Sequence, residues 1–529
     1  MLRKRTNLRL ILLFIICLMV LSASCQDNNL PSGNDGKYKK TAYPDVLKIT
    51  RCLYFGDSAD NQELKEEFLK VFHEKTGIKL EVFYPPRTNY MEKVNLMIAS
   101  GELNGIVNFF SPSNIIKAVN DNTIEPLDDY LKDNENWNSM PEEYRNLYIV
   151  NGKIYGISAG YEGSFFTRSF RKDWLDNLGM KVPETADELL EVARAFTVDD
   201  PDGNGIDDTY GLTSSKFWNL QDIFQAFGVK LGNTGENPIT WDPATGLWQD
   251  SMLKPEMADA LAYIKKLYDS GYLDASFLTN QGNNMRENLW TGKAGSTFYW
   301  VTHACRQAVA EMKNTIPEAK WVEIPALKGK RTQQLNNRVM GGLIYVLVKG
   351  TNQPRETVNT FIDMLFDKDI FLLLKHGIEG KTFRQEDNTV IVMINPETGK
   401  PYETSGLTNE MPQFNRFNFP WCYDGTREEI QASLDVIKLE EQLLKEGLDK
   451  NLIFDIYKAA YDSPLSNEFS KKSTDMEKIF ERETSMAILG EKTIDRALED
   501  YRLAMKELGA DLMLREANEA IGKTGWQTY

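Results

Sequence analysis

Apolar residues in this chain follow three spacings. Residues 10–21 form one unbroken apolar run, preceded by Arg3, Lys4, Arg5 and Arg9 and followed by Ser22, Ala23, Ser24 and Cys25. From residue 46 onward, short β-like stretches alternate with segments of helical spacing. Residues 46–53 predict a strand. Residues 61–75 predict a helix through Leu64, Phe68, Val71 and Phe72, closed by Gly77. Residues 79–84 read as a second strand, 89–100 as an amphipathic helix and 105–110 as a third strand, and Ser111 opens another helix. Strand–helix units of this length predict a parallel, right-handed α/β sheet.

The pattern then breaks and returns. Residues 153–159 are β-like, and 164–169 are expected to pair with them. Trp174, Leu175 and Leu178 start an apolar helix, Pro183 turns the chain, and 187–196 form the next helix. Trp174 is expected in the core. Helices dominate the reading of 214–321, and 340–348 form a new apolar strand. A helix over 356–366, a hairpin over 389–402 and a strongly helical stretch over 427–518 complete it. This order predicts two α/β lobes joined by several crossovers, with a helical C-terminal segment. Residues 45–165 and 340–405 make the first lobe, and 166–339 and 406–529 the second. A ligand cleft is expected between them, at the carboxyl ends of strands.

The opening run changes the cellular picture. A basic start, a short apolar stretch and small residues describe an export signal over residues 1–24. The run is shorter than the roughly 20 residues that span a bilayer. Cys25 directly after the small residues points to lipoprotein processing, with Cys25 acylated. Ser22 departs from that pattern, because Leu, Val or Ile usually stands there. The alternative is ordinary cleavage and a soluble secreted protein. Residues 25–44 read as a flexible tether. The expected location is therefore the extracytoplasmic face of the cell membrane, touched only through the lipid.

Length and composition bound the rest. A chain of 529 residues, 42% hydrophobic and 26% charged, suits two to three globular domains. The net charge of −16 argues against a nucleic-acid partner and against adhesion to anionic lipid. It argues mildly against a polyanionic ligand such as alginate. Cys52, Cys305 and Cys422 are scattered without metal spacing and are expected to be buried and unpaired. His73, His303 and His376 also lack metal spacing.

The sharpest chemical motif runs from Asp199 to Asp208. With Asp200 as the first position, oxygen ligands fall at Asp200, Asp202, Asn204, the Ile206 carbonyl and Asp208, and Gly205 takes the turn. Hard oxygens on alternate residues around a glycine suit Ca²⁺. Gly211 stands where an EF-hand loop has its bidentate Glu, so further ligands must come from elsewhere or from water. The expected role of the ion is structural.

Several segments together resemble a known family. The run Arg171-Lys172-Asp173-Trp174-Leu175-Asp176-Asn177-Leu178-Gly179-Met180-Lys181-Val182-Pro183, with the Asp-Pro-Asp-Gly-Asn-Gly loop after it, is similar to extracellular solute-binding proteins of bacterial ABC transporters. It looks like the lipoprotein branch that binds alginate oligosaccharides and other saccharides. Asn151 to Ile157, His376 to Lys381, and Ala497 to Asp511 resemble further segments of that branch. The resemblance covers roughly residues 45–525. It implies a periplasmic-binding-protein-like fold, closure over ligand, delivery to a two-subunit permease, and Ca²⁺ in the second lobe. Thr209 departs from it, because the family has an acidic residue there.

Sugars offer apolar CH faces and many hydroxyls, so aromatic platforms beside polar groups are sought. The resemblance places candidates at Tyr54, Asp57, Ser111 and Ser113 in the first lobe, and at Tyr161 and Glu162 on the first crossover. Trp218, Tyr299 and Trp300 are candidates in the second lobe, and Arg416, Trp421 and Tyr423 lie in an aromatic-rich loop. The expected function is capture of a carbohydrate by a monomeric, non-catalytic binder. An exported glycan-active enzyme, a binder of peptide or another polar solute, and an adhesive surface lipoprotein are the competing readings.

Overall fold

The computed structural model describes residues 43–52, 62–85, 89–110, 112–140, 142–158, 164–232, 238–242, 245–300, 308–312, 315–324, 326–329, 338–339, 344–386, 389–396, 402, 421–423, 438, 452–453, 466–519, 525 and 529. Cys25, Tyr54, Asp57, Ser111, Tyr161, Glu162, His303, Cys305 and Arg416 lie outside the described residues, as does the predicted tether up to residue 42. Tyr43–Tyr529 forms one compact unit.

The first sheet grows from the alternation seen in the sequence. Strand β1 is Val46–Thr50, followed by helix α1, Gln62–Thr76. Gly77, at φ 74°, ends α1 with a backbone hydrogen bond of 2.7 Å to His73 O. Strand β2 (Lys79–Phe83), helix α2 (Tyr90–Ala99), strand β3 (Ile106–Phe109) and helix α3 (Pro112–Asn120) follow. β1 pairs in parallel with both β2 and β3, as the strand–helix spacing predicts. Strand β4 is Ile157–Ser158. The chain then leaves this sheet.

Strand β5, Ser164–Arg171, belongs to a second sheet. It pairs with the strands that follow, and not with residues 153–159 as expected. The reason lies in its side chains. Phe166, Arg168 and Phe170 are fully buried on one face, and Thr167 and Ser169 are buried on the other. A strand covered on both faces needs partners on both edges. Strand β7 (Ala294–Trp300), strand β8 (Trp321–Ile324) and strand β9 (Arg338–Val339) are these partners, and strand β6 (Tyr210–Leu212) pairs with β7. The order is β9-β5-β7-β6, with β8 also on β5.

Strand β10, Ile344–Leu347, returns to the first sheet and inserts antiparallel between β3 and β4, completely buried. The reading of 427–518 as helical fails at Leu452–Ile453, which pairs in parallel with β9. The reading of 214–321 as helical misses the antiparallel pair Ile239–Asp242 and Leu247–Asp250. The predicted hairpin also shifts: the ladder joins Phe383–Glu386 to Thr389–Val392. Its alternation of apolar and polar side chains begins earlier than the Asn-Pro turn suggests. Tyr402 N still donates to Met393 O at 2.9 Å, so the chain does reverse there.

Two cores result. One gathers Ile49, Phe72, Val107, Phe109, Val346 and Phe361 about the first sheet. The other gathers Phe170, Trp174, Phe196, Leu220, Leu261 and Phe480 about the second. Trp174 is fully buried, as expected, edge-on to Phe196 at 5.2 Å. The closing helices Ser466–Leu489, Ile494–Leu508 and Ala510–Glu519 pack into this second core.

The second core holds one poorly solvated cation. Burial pushes Lys230 down to about 8, against the pull of Asp242 and with the help of Lys254. The folded state then releases a proton that the unfolded state keeps between about pH 8 and the usual lysine value near 10.5. Stability contributed by this residue therefore rises with pH across that window. Lys230→Met is expected to be more stable than the parent by about 3 kcal/mol below pH 8. Urea unfolding at pH 7 and pH 10 should show that advantage shrinking at the higher pH. A constant difference would count against it.

Candidate functional site

The two chain crossings define where the sheets face one another. β4 ends at Ser158 and β5 begins at Ser164; β9 ends at Val339 and β10 begins at Ile344. Ser158 is the register partner of Ile344 in the first sheet, and Ser164 is the partner of Val339 in the second. Both crossings thus leave and arrive side by side. Each spans at most roughly 20 Å of extended chain. The carboxyl end of β3 reaches the same edge, since Phe109 pairs with Ile344. In the second sheet, Trp300 at the end of β7 pairs with Phe166, two residues past the crossing.

Three of the sequence candidates meet at that edge. Trp300 stacks on Phe166 with ring centroids 4.3 Å apart. Trp218 meets Phe166 edge-on at 6.5 Å and Tyr299 edge-on at 5.4 Å. Trp218 and Trp300 are both half-buried against Phe166, Phe298 and Ala326. The loop that carries Trp218 is pinned by Asn219. Its Nδ2 donates to Phe298 O at 2.8 Å, and its Oδ1 accepts from Ser215 N at 2.8 Å. Trp218 Nε1 is buried and has no hydrogen-bond partner among the described residues. Burial raises the Tyr299 hydroxyl above its usual range, opposed by Arg286, whose Nη1 donates to it at 3.4 Å. Tyr299 therefore stays a neutral phenol. The result is an indole–phenol–indole shelf whose spare hydrogen-bond donor is Trp218 Nε1.

Other candidates lie apart from this shelf. Ser113 is on α3, in the first sheet's surroundings. Trp421 and Tyr423 occupy the strand Trp421–Tyr423, in parallel register with Val390–Val392. That strand adjoins residues read as first lobe, although 406–529 was read as second. Cys52 is buried, His73 is exposed at the end of α1, and His376 is buried at a helix end. Phe166 and Arg286 were missed. A phenylalanine in a strand reads as core, and only the pairing with Trp300 reveals more.

The acidic loop joins helix α4, Ala186–Val198, to β6. Asp200 Oδ1 and Oδ2 accept from the backbone N–H groups of Asn204 and Gly205 at 3.1 and 3.0 Å. Asn204 Oδ1 accepts from Ile206 N at 2.6 Å, and its Nδ2 reaches Asp202 at 3.0 Å and Asp208 at 3.4 Å. Partial desolvation, with the carboxylates of Asp200 and Asp208, raises Asp202 above the usual carboxylate range. Gly203 and Gly205 take positive φ, which an L side chain adopts only with strain. Among the described residues no group of three His, Cys, Asp or Glu side chains, this loop included, is placed to hold a metal ion. Gly211 cannot supply the missing ligand: a Cβ there would lie 2.5 Å from Ala193 Cα, where β6 crosses α4. Thr209 is turned inward, its Oγ1 donating to Phe196 O at 2.8 Å.

Comparison with known proteins follows the same outline. A family described as bacterial extracellular solute-binding protein matches residues 67–374, more than half of the chain. Lipoprotein LipO of Bacillus subtilis (strain 168) is 27% identical over 493 residues, covering 90% of this chain and 92% of its own. The polygalacturonan/rhamnogalacturonan-binding protein YtcQ of the same organism is 27% identical over 387 residues, covering 72% of this chain and 75% of its own. The crystal structure of alginate-binding protein AlgQ2 without calcium ion superposes with a TM-score of 0.67 at 18% identity, covering 91% of this chain and 99% of that one.

Proposed function

Because the chain belongs to the bacterial extracellular solute-binding proteins, the non-enzymatic capture component of ABC transporters, we propose that its solute is an oligosaccharide held between the two sheets at the crossover edge. The observation that carries this reading is the shelf of Trp218, Tyr299 and Trp300. Half-exposed indoles suit the CH faces of sugar rings, and the spare Trp218 N–H suits a hydroxyl. Two relatives are named for polysaccharides, polygalacturonan/rhamnogalacturonan and alginate, which supports the class. The ligand bridges both lobes and so favours a closed state. Cys25 carries the lipid that keeps the protein beside its permease, a reading supported by the lipoprotein name of the first relative. Titration calorimetry over neutral and acidic oligosaccharides, with X-ray scattering at saturation, tests the reading. Binding without cleavage and a smaller radius of gyration are expected. A cleaved product or an unchanged radius would overturn it.

We also propose that Asp200, Asp202, Asn204, Asp208 and the Ile206 carbonyl hold Ca²⁺. The ion would neutralise converging carboxylates and brace the connection between α4 and β6. Adding millimolar Ca²⁺ to chelator-treated protein is expected to raise its melting temperature by several degrees. Asp200→Ala is expected to abolish that rise. Equal shifts in both proteins would sink the assignment.

A further inference from the structure

Among the described residues, Arg51 in the first lobe has no ion-pair partner. Arg51 directly follows β1 and continues its ladder, its N–H donating to Phe83 O at 2.9 Å. The residue is only 3% exposed. Its Nε and Nη1 are buried with no hydrogen-bond partner among the described residues. A buried guanidinium is costly unless something supplies the opposite charge.

Its surroundings indicate what that partner is. The β1–β3 register pairs Ile49 with Ile106 and Thr50 with Val107, so the next residues, Arg51 and Asn108, lie alongside one another. Asn108 is fully buried. Its Nδ2 donates to Phe109 O at 3.1 Å and Ile344 O at 3.2 Å, while its Oδ1 accepts nothing among the described residues. The same edge carries Phe83 and Phe110, exposed by 40% and 39%. They are the two aromatic side chains among the exposed large apolar residues described. Phe110 is stacked on Tyr90 at 4.9 Å, and the Tyr90 hydroxyl donates to Asn108 O at 3.0 Å. Fork donors and an amide oxygen without partners among the described residues, and two partly exposed aromatic side chains, thus share the carboxyl ends of the parallel strands.

We propose that Arg51 receives the carboxylate of a uronic acid residue, so that the captured oligosaccharide is acidic. The inference rests on the oligosaccharide reading above and adds the charge of the sugar. A guanidinium fork matches a carboxylate with two parallel hydrogen bonds. Asn108 Oδ1 accepts from a neighbouring hydroxyl, and Phe110 offers its face to the ring. The net charge of −16 does not oppose this. Distant surface charges are screened beyond about 10 Å, whereas a buried contact is not.

Calorimetry with the purified protein tests the proposal, using short oligogalacturonates and oligomannuronates, their methyl esters and neutral oligosaccharides of equal length. At least one acidic series is expected to bind roughly tenfold or more tightly than its ester. Arg51→Gln is expected to erase that preference and to raise the melting temperature without ligand, because it removes an uncompensated charge. Arg51→Lys, which keeps the charge but not the fork, should retain part of the preference and serves if the Gln variant fails to fold. Equal affinity for acid and ester in both series, or a preference that survives Arg51→Gln, overturns the proposal. Neutral sugars binding best would overturn it and leave the oligosaccharide reading intact. If no saccharide of either kind binds, the failure lies in that underlying reading.

Discussion

Asp222→Ala is expected to lower the melting temperature of the second lobe more than any surface change, with a loss of about 3–5 kcal/mol. Arg168, on β5, and Asp222, on the helix Gln221–Ala226, are both fully buried and form an ion pair. Arg168 Nε donates to Asp222 Oδ2 at 2.8 Å, and its Nη2 also reaches Asn219 O at 3.3 Å. Its guanidinium lies 5.9 Å from the Phe298 ring centroid and is shut off from solvent in the folded protein. Removing Asp222 strands that charge. Replacing both partners with apolar residues of similar volume should cost far less, since no charge is then left behind. Thermal melts of the single and double variants check this. A single variant as stable as the double one would contradict it.

Trp218→Ala is expected to weaken solute binding by about 1.5–3 kcal/mol, roughly ten- to a hundredfold, with little loss of stability. Its indole is half-buried against Phe166, Phe298 and Ala326 and keeps exposed area for the proposed solute. Trp300→Ala should weaken binding comparably and cost some stability as well, because Trp300 also covers Phe166. Calorimetry beside a melting curve separates the two effects. Undiminished affinity in both variants would remove the shelf from the binding site.

How much of this was legible in the sequence depends on whether the deciding contact was local. Periodicity located β1, β2, β3 and the helices between them, since each carries its own apolar face. The acidic loop was legible because its oxygens lie within ten consecutive positions. β5 was misread because its partners, β7 and β8, lie more than a hundred residues away. Trp218, Tyr299 and Trp300 could be named as aromatics, but nothing local showed that the first meets the second edge-on. Arg51 was invisible for the opposite reason. A charge at the end of an apolar strand usually signals solvent, and only the folded neighbourhood shows that its Nε and Nη1 have no partner among the described residues.

The late return of β10 bears on how the protein reaches its folded state. Asn108 and Ile344 are hydrogen-bonded although 236 positions separate them. A chain emerging N-terminus first presents β3 and β4 with their inner edges open until Leu347 has appeared. Open edges of this kind recruit foreign strands. The second sheet has by then received β5 through β9 but still waits for Leu452–Ile453 and the closing helices. The interval before β10 arrives is when the open edges of the first sheet most need protection from aggregation.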